Sequence, residues 1–169
     1  MHMKAAIVFF SRAGENYVSG AIKDLETGNT RVVAEMIQQF TGADLIEVEP
    51  CIPYPHNYSA CIEQARQEQR RDARPELKSN PESMDVYDTV YLGYPNYWGT
   101  MPMALFTFLE QYNFTGKTIW PFCTHEGSGM GKSISDIERL CPGAKVERGL
   151  SLYGSKVREA KTAIKDWIG

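Results

Sequence analysis

Residues 5–10 read Ala-Ala-Ile-Val-Phe-Phe, an apolar run that stops at Ser11. A strand with one wet face alternates apolar and polar residues. A run without alternation is buried on both faces, as in a parallel sheet covered by helices. Further on come Thr27-Gly28-Asn29-Thr30 and a helical pattern from Arg31 to Phe40, with Val33, Met36, Ile37 and Phe40 on one side. Hydroxyls, an amide and a glycine therefore stand between a buried strand and a helix start. Backbone N–H groups and the helix dipole favour a phosphate there. The second half of this divided loop has no lysine, and the chain has no Walker or GxGxxG pattern. Such a loop suits an uncharged grip on a terminal monophosphate better than a triphosphate or a dinucleotide.

The rest of the chain alternates in the same way. A second strand is predicted over Ala43–Val48. After Pro50, Pro53 and Pro55, Asn57 or Ser59 caps a polar helix running to about Ala73. Its Gln64–Arg71 stretch reads as a solvated face. Thr89–Gly93 is the third strand. Pro102 suits the first turn of a helix whose buried side is Leu105, Phe108, Leu109 and Tyr112. Thr118–Cys123 is the fourth strand, and Ile134, Ile137 and Leu140 mark the next helix. Lys145–Tyr153 is predicted as one fifth strand, and Val157, Ala160, Ile164 and Trp167 as one side of a single last helix. Strands alternating with helices imply an α/β class with a parallel sheet. The 169 residues are expected to form one domain.

Composition removes several partners. A formal net charge of −3 offers no basic surface for nucleic acid, and no apolar run is long enough for a membrane. The short N-terminal apolar stretch does not read as a signal peptide, and Met1-His2 reads as a cloning remnant. Cys51, Cys61, Cys123 and Cys141 have no CxxC spacing. Free thiols in a reducing, cytoplasmic setting are expected; a reversible Cys51–Cys61 disulfide is the alternative. His2, His56 and His125 lie on separate segments, so no metal site is expected.

Ligands of an open parallel sheet bind beyond the carboxyl ends of its strands. Three unusual loops fall there: Ser11–Thr30, Tyr94–Thr100 and Thr124–Gly131. The chain resembles the flavodoxin family over its whole length, in the branch with a TGNT phosphate loop, Thr27-Gly28-Asn29-Thr30, and a YPxYWG loop, Tyr94–Gly99. The resemblance implies a three-layer α/β sandwich whose five-stranded parallel sheet has the order 2-1-3-4-5, with FMN as ligand. One departure is an insertion, Ala13–Glu26, within the phosphate loop. Because Ser11–Asn16 partly echoes the phosphate motif, two alignments exist. Ser11, Arg12, Asn29 and Thr30 are the preferred set, and Asn16 is the weaker candidate. Tyr17 either covers the site or packs on the surface, the second being the simpler reading.

The second loop offers Pro95, Asn96, Tyr97, Trp98 and Gly99. Its aromatics suit stacking on a flat isoalloxazine, with core packing as the alternative. The third offers Thr124, His125, Glu126, Gly127, Ser128 and Gly129, whose backbone donors suit the pyrimidine edge of a flavin. Ser128 also suits a helix cap. His125 is either a proton donor or, more simply, a structural hydrogen-bonding residue. Glu126 is expected to point into solvent.

The expected function is FMN-dependent redox chemistry. It serves either a redox protein partner or NAD(P)H-dependent reduction of a small, quinone-like acceptor. A non-enzymatic flavin-binding regulatory module is the alternative from another class. A phosphoacceptor receiver is unlike this chain, which has Phe9-Phe10-Ser11-Arg12 where an acidic pair is needed.

Overall fold

The computed structural model describes residues 4–169, so Met1-His2 lies outside the described residues. Strand β1 (Lys4–Phe9) is central. It pairs in parallel with β4 (Asp44–Glu47) on one side and β5 (Tyr87–Pro95) on the other. Next to β5 lies β6 (Thr118–His125), followed by β7 (Lys145–Val146) and β8 (Leu150–Tyr153), which both pair in parallel with β6. With β7 and β8 as halves of one strand, the order is the 2-1-3-4-5 that the resemblance implied.

Alternation along β1 sends side chains to two cores. Ala6, Val8 and Phe10 join Leu92, Tyr94 and the apolar side of α3 (Met103–Glu110), with Ile137 from α4 (Ser133–Leu140). Ile7 and Phe9 face the other way, toward Val33, Ala34 and Ile37 of α1 (Asn29–Thr41) and Ile164 and Trp167 of α5 (Lys161–Ile168). The unbroken apolar run thus fills both layers. Helix α2 (Tyr58–Arg70) is capped by Asn57, whose Oδ1 accepts the Ala60 N–H at 2.9 Å.

Two predicted elements are divided. The fifth strand breaks because the register slips. Val146 is opposite Ile119 and Leu150 opposite Phe122, so four steps on one strand meet three on the other. The extra length sets the Arg148 carbonyl to accept the Trp167 indole N–H at 3.0 Å. The last helix begins as a 3₁₀ segment, Gly154–Glu159, before α5. Val157 and Ala160, three apart, match that tighter winding.

The 13–26 insertion is a ribbon of its own, β2 (Gly14–Val18) antiparallel to β3 (Ala21–Leu25). Ser19 and Gly20 both have positive φ, 51° and 81°, the two-residue reversal that fits strand twist. The ribbon is fastened to the start of α2. The Glu15 N–H donates to the His56 carbonyl at 3.2 Å, and Glu15 Oε1 accepts the Tyr58 N–H at 2.9 Å. All four cysteines are free; Cys51 is exposed and Cys61 buried, and the alternative disulfide is not formed. Among the described residues, no helix is long and apolar enough to cross a membrane.

Candidate functional site

The N-terminus of α1 begins just past Gly28. Ser11 Oγ accepts the Arg31 N–H at 3.0 Å, and the Gly28 carbonyl accepts the Val32 N–H at 3.3 Å. Among the described residues, the N–H groups of Asn29 and Thr30 have no acceptor. Two oriented donors therefore remain at the positive end of the helix, with the Ser11 hydroxyl proton also available. Gly28 makes room for this arrangement. A Cβ there would stand 2.3 Å from Ser11 Oγ and 2.7 Å from the Arg12 carbonyl oxygen.

From these donors a cavity of about 540 Å³ runs along the carboxyl ends of the strands, within the range of small-molecule sites. Arg12, Asn29, Thr30, Pro95, Asn96, Tyr97, Trp98, Gly99, Thr124, His125, Glu126 and Ser128 all line it. Ser11, Gly127 and Gly129, also expected at the site, do not form its wall. Ser11 acts from behind, on the helix start.

Several side chains are engaged differently from the sequence expectation. The Arg12 guanidinium does not face the helix donors. It donates to the Glu15 carbonyl, to that of Pro55 at 2.8 Å and to that of His56 at 2.7 Å, clamping the ribbon to the segment before α2. Asn96 is a brace between loops: its Nδ2 donates to the Gly129 carbonyl at 2.8 Å, and its Oδ1 accepts the Gly99 N–H at 2.8 Å. Glu126 does not point freely into solvent. Its carboxylate accepts the Ser155 N–H at 3.0 Å and the Ser19 N–H at 3.4 Å, joining the ribbon turn to the 3₁₀ segment. The Thr30 and Thr124 hydroxyls bond to each other at 2.9 Å, tying the helix start to the third loop.

Trp98 has φ 54° and Gly99 φ 89°, so the second loop reverses through two left-handed residues. That region costs roughly 1–2 kcal/mol for a residue with a Cβ. Contacts from α2 hold it: the Trp98 indole N–H donates to the Ile62 carbonyl at 2.8 Å, and the Arg66 guanidinium lies 5.5 Å from the ring centre. Trp98 remains 48% exposed beside the cavity. Tyr97 turns its ring toward Phe10 and Tyr54, at 5.7 and 5.8 Å, and burial raises its pKa well above the usual phenol value.

His125 follows its simpler reading. Its Nδ1 accepts the Gly127 N–H at 2.8 Å, so the proton sits on Nε2, which donates to Ser151 Oγ at 2.7 Å. Desolvation lowers its pKa, against a smaller opposing pull from Glu126.

The cavity also has a wall beyond the preferred set: Asn16, the weaker candidate, and Tyr17, which stands at the site as in the less simple of its two readings, are joined by the unforeseen Tyr58, Ile62, Ala65 and Gly154. The signal for part of it was present. Tyr58, Ile62 and Ala65 stand at i, i+4 and i+7, one stripe of a helix read only for its polar residues. Gly154 had no local signal. A Cβ there would lie 2.5 Å from Asn29 Nδ2 and 2.9 Å from Glu126 Oε1.

Comparison with known proteins identifies the family. The model of the Flavodoxin family matches residues 22–169. A flavoprotein from Bacteroides eggerthii DSM 20697 is 28% identical, with a TM-score of 0.78 over 99% of this chain and 96% of that one. A flavoprotein from Lactobacillus acidophilus NCFM, solved in complex with FMN, is 18% identical, with a TM-score of 0.65 over 99% and 100%. Fusobacterium nucleatum flavodoxin bound to flavin mononucleotide is 16% identical, with a TM-score of 0.53 over 98% and 95%. The last two likenesses, at such identities, speak for the fold alone. No curated protein matches the chain. With its parallel sheet in the order 2-1-3-4-5 and a family match covering most of its length, the chain belongs to the flavodoxin family.

Proposed function

We propose that this protein is an FMN-dependent redox protein, passing electrons to a redox partner or to a small acceptor such as a quinone. The carrying observation is that Asn29 and Thr30, whose N–H groups are unpartnered among the described residues, line the same cavity as Trp98, Thr124, His125, Glu126 and Ser128. The residues present fit the cofactor. A terminal phosphate suits uncharged donors at a helix start, and a flat apolar ring system suits the cleft beside Trp98. Bound FMN supplies the electron chemistry. The chain's own groups hold the phosphate through Asn29 and Thr30, with Ser11 bracing the helix start from behind, shape the ring site through Pro95–Gly99, and present Thr124, His125, Glu126 and Ser128 to the ring's polar edge. Four free cysteines favour work in a reducing compartment such as the cytoplasm.

Reconstitution tests the reading. FMN, FAD and riboflavin are titrated separately into the apo protein, with quenching of flavin fluorescence as signal. FMN should bind tightest, and riboflavin should be weaker because the helix donors then have no phosphate. Tighter binding of FAD than of FMN would sink the proposal.

A further inference from the structure

The wall made by the ribbon and α2 has a chemistry of its own. Tyr17 and Tyr58 both line the cavity, with ring centres 6.3 Å apart and planes tilted by 34°. Neither hydroxyl has a hydrogen-bond partner among the described residues, whereas the Tyr54, Tyr87, Tyr94 and Tyr112 hydroxyls all donate to protein oxygens. Ile62 and Ala65 continue the wall with apolar surface. The position of the pair is fixed from several sides. Glu15 Oε1 holds the Tyr58 N–H, the Glu15 N–H holds the His56 carbonyl, and Arg12 grips the carbonyls of residues 15, 55 and 56. Asp24 adds a contact of 3.2 Å to the His56 ring. Burial raises the Tyr58 pKa above the ordinary phenol value, so its hydroxyl remains a donor at neutral pH.

We propose that Tyr17 and Tyr58 form an acceptor subsite in the same cavity as the phosphate and ring loops, and that it binds a flat carbonyl-bearing aromatic molecule of the quinone class. Two aromatic faces and an apolar helix stripe suit the ring system, and two free phenol O–H groups suit its carbonyl oxygen. Negative charge builds on that oxygen as the acceptor is reduced, where hydrogen-bond donors stabilise it most. Reduction of a quinone to its quinol takes two electrons and two protons. The electron pair and one proton arrive as hydride from reduced FMN, and the second proton comes from solvent. This inference rests on the FMN-dependent reading above and assigns its acceptor to named residues.

The test uses holoprotein reduced anaerobically with dithionite and mixed with menadione, following the return of oxidised-flavin absorbance. The wild-type rate should saturate with menadione. Tyr17→Phe and Tyr58→Phe should each raise the half-saturating concentration roughly two- to tenfold, the range of one neutral hydrogen bond. Their FMN affinity should be unchanged. So should their rate with ferricyanide, a one-electron acceptor that needs no clamp. A wild-type rate that rises linearly with menadione overturns the proposal, because there is then no acceptor site. A parallel loss of FMN affinity in both variants also overturns it, because the pair then holds the flavin. Failure of the wild type to bind FMN instead removes the functional reading and this inference with it.

Discussion

Gly28 has φ −63° and ψ 149°, angles open to any residue, so its missing side chain matters for space rather than for conformation. The atoms in the way are Ser11 Oγ and the Arg12 backbone, and only the first can move. Gly28→Ala should therefore displace Ser11 from the α1 start and shift the two free N–H groups. Overpacking of this kind costs about 1–3 kcal/mol. FMN affinity should fall by roughly tenfold or more, and riboflavin affinity by much less. Paired fluorescence titrations, with melting of the apo protein as control, measure this; equal losses for the two ligands would contradict it. The residue types at this site were legible in the sequence, but their aim was not. Arg12, Asn96 and Glu126 all reach the cavity, yet each is engaged by backbone groups of another segment. Those segments are far away in sequence. Arg12 and Pro55 are 43 positions apart, and Glu126 and Ser155 are 29. No local pattern reports such a partner.

The elements divide in a similar way. The apolar run of β1 and the stripe of α1 could be read directly, because burial on both faces and helical periodicity are local signals. The break between β7 and β8 could not, because it depends on a one-residue slip against β6 and on the needs of Trp167. The third loop carries a testable pH response. Protonating His125 at Nδ1 would remove the acceptor of the Gly127 N–H, and its folded-state pKa lies below the ordinary value of 6.5. The unfolded chain then binds the proton more readily, so stability falls as pH drops below 6.5 toward the folded-state value and is fully present above it. Urea unfolding of wild type and His125→Asn across this range should show a slope in the first that is reduced in the second. Parallel stability–pH curves would mean that His125 does not titrate differently on folding.

Across the whole molecule, the sheet and its helices provide a platform, and the added ribbon provides one side of the cleft. Gly14 pairs with Leu25, so the ribbon leaves and rejoins the chain at neighbouring points. Replacing residues 14–25 with one glycine should leave the sheet intact. Arg12 would keep its Pro55 and His56 carbonyls, and Glu126 its Ser155 N–H. FMN affinity is expected to stay within about tenfold of wild type, or ~1.4 kcal/mol. Saturation by menadione should disappear and the melting temperature should fall. Calorimetry and the same reoxidation assay measure both; saturation that survives the excision would place the acceptor elsewhere.

Because the ribbon is closed on itself by its own strand pairing, its sequence can drift without disturbing the α1 start and its two free N–H groups. On the proposed reading, cofactor choice and acceptor choice then come under separate selection. Exchanging this hairpin would replace the face that Tyr17 contributes while Tyr58 and the α2 stripe stay in place, which makes the hairpin the natural place to graft a new specificity.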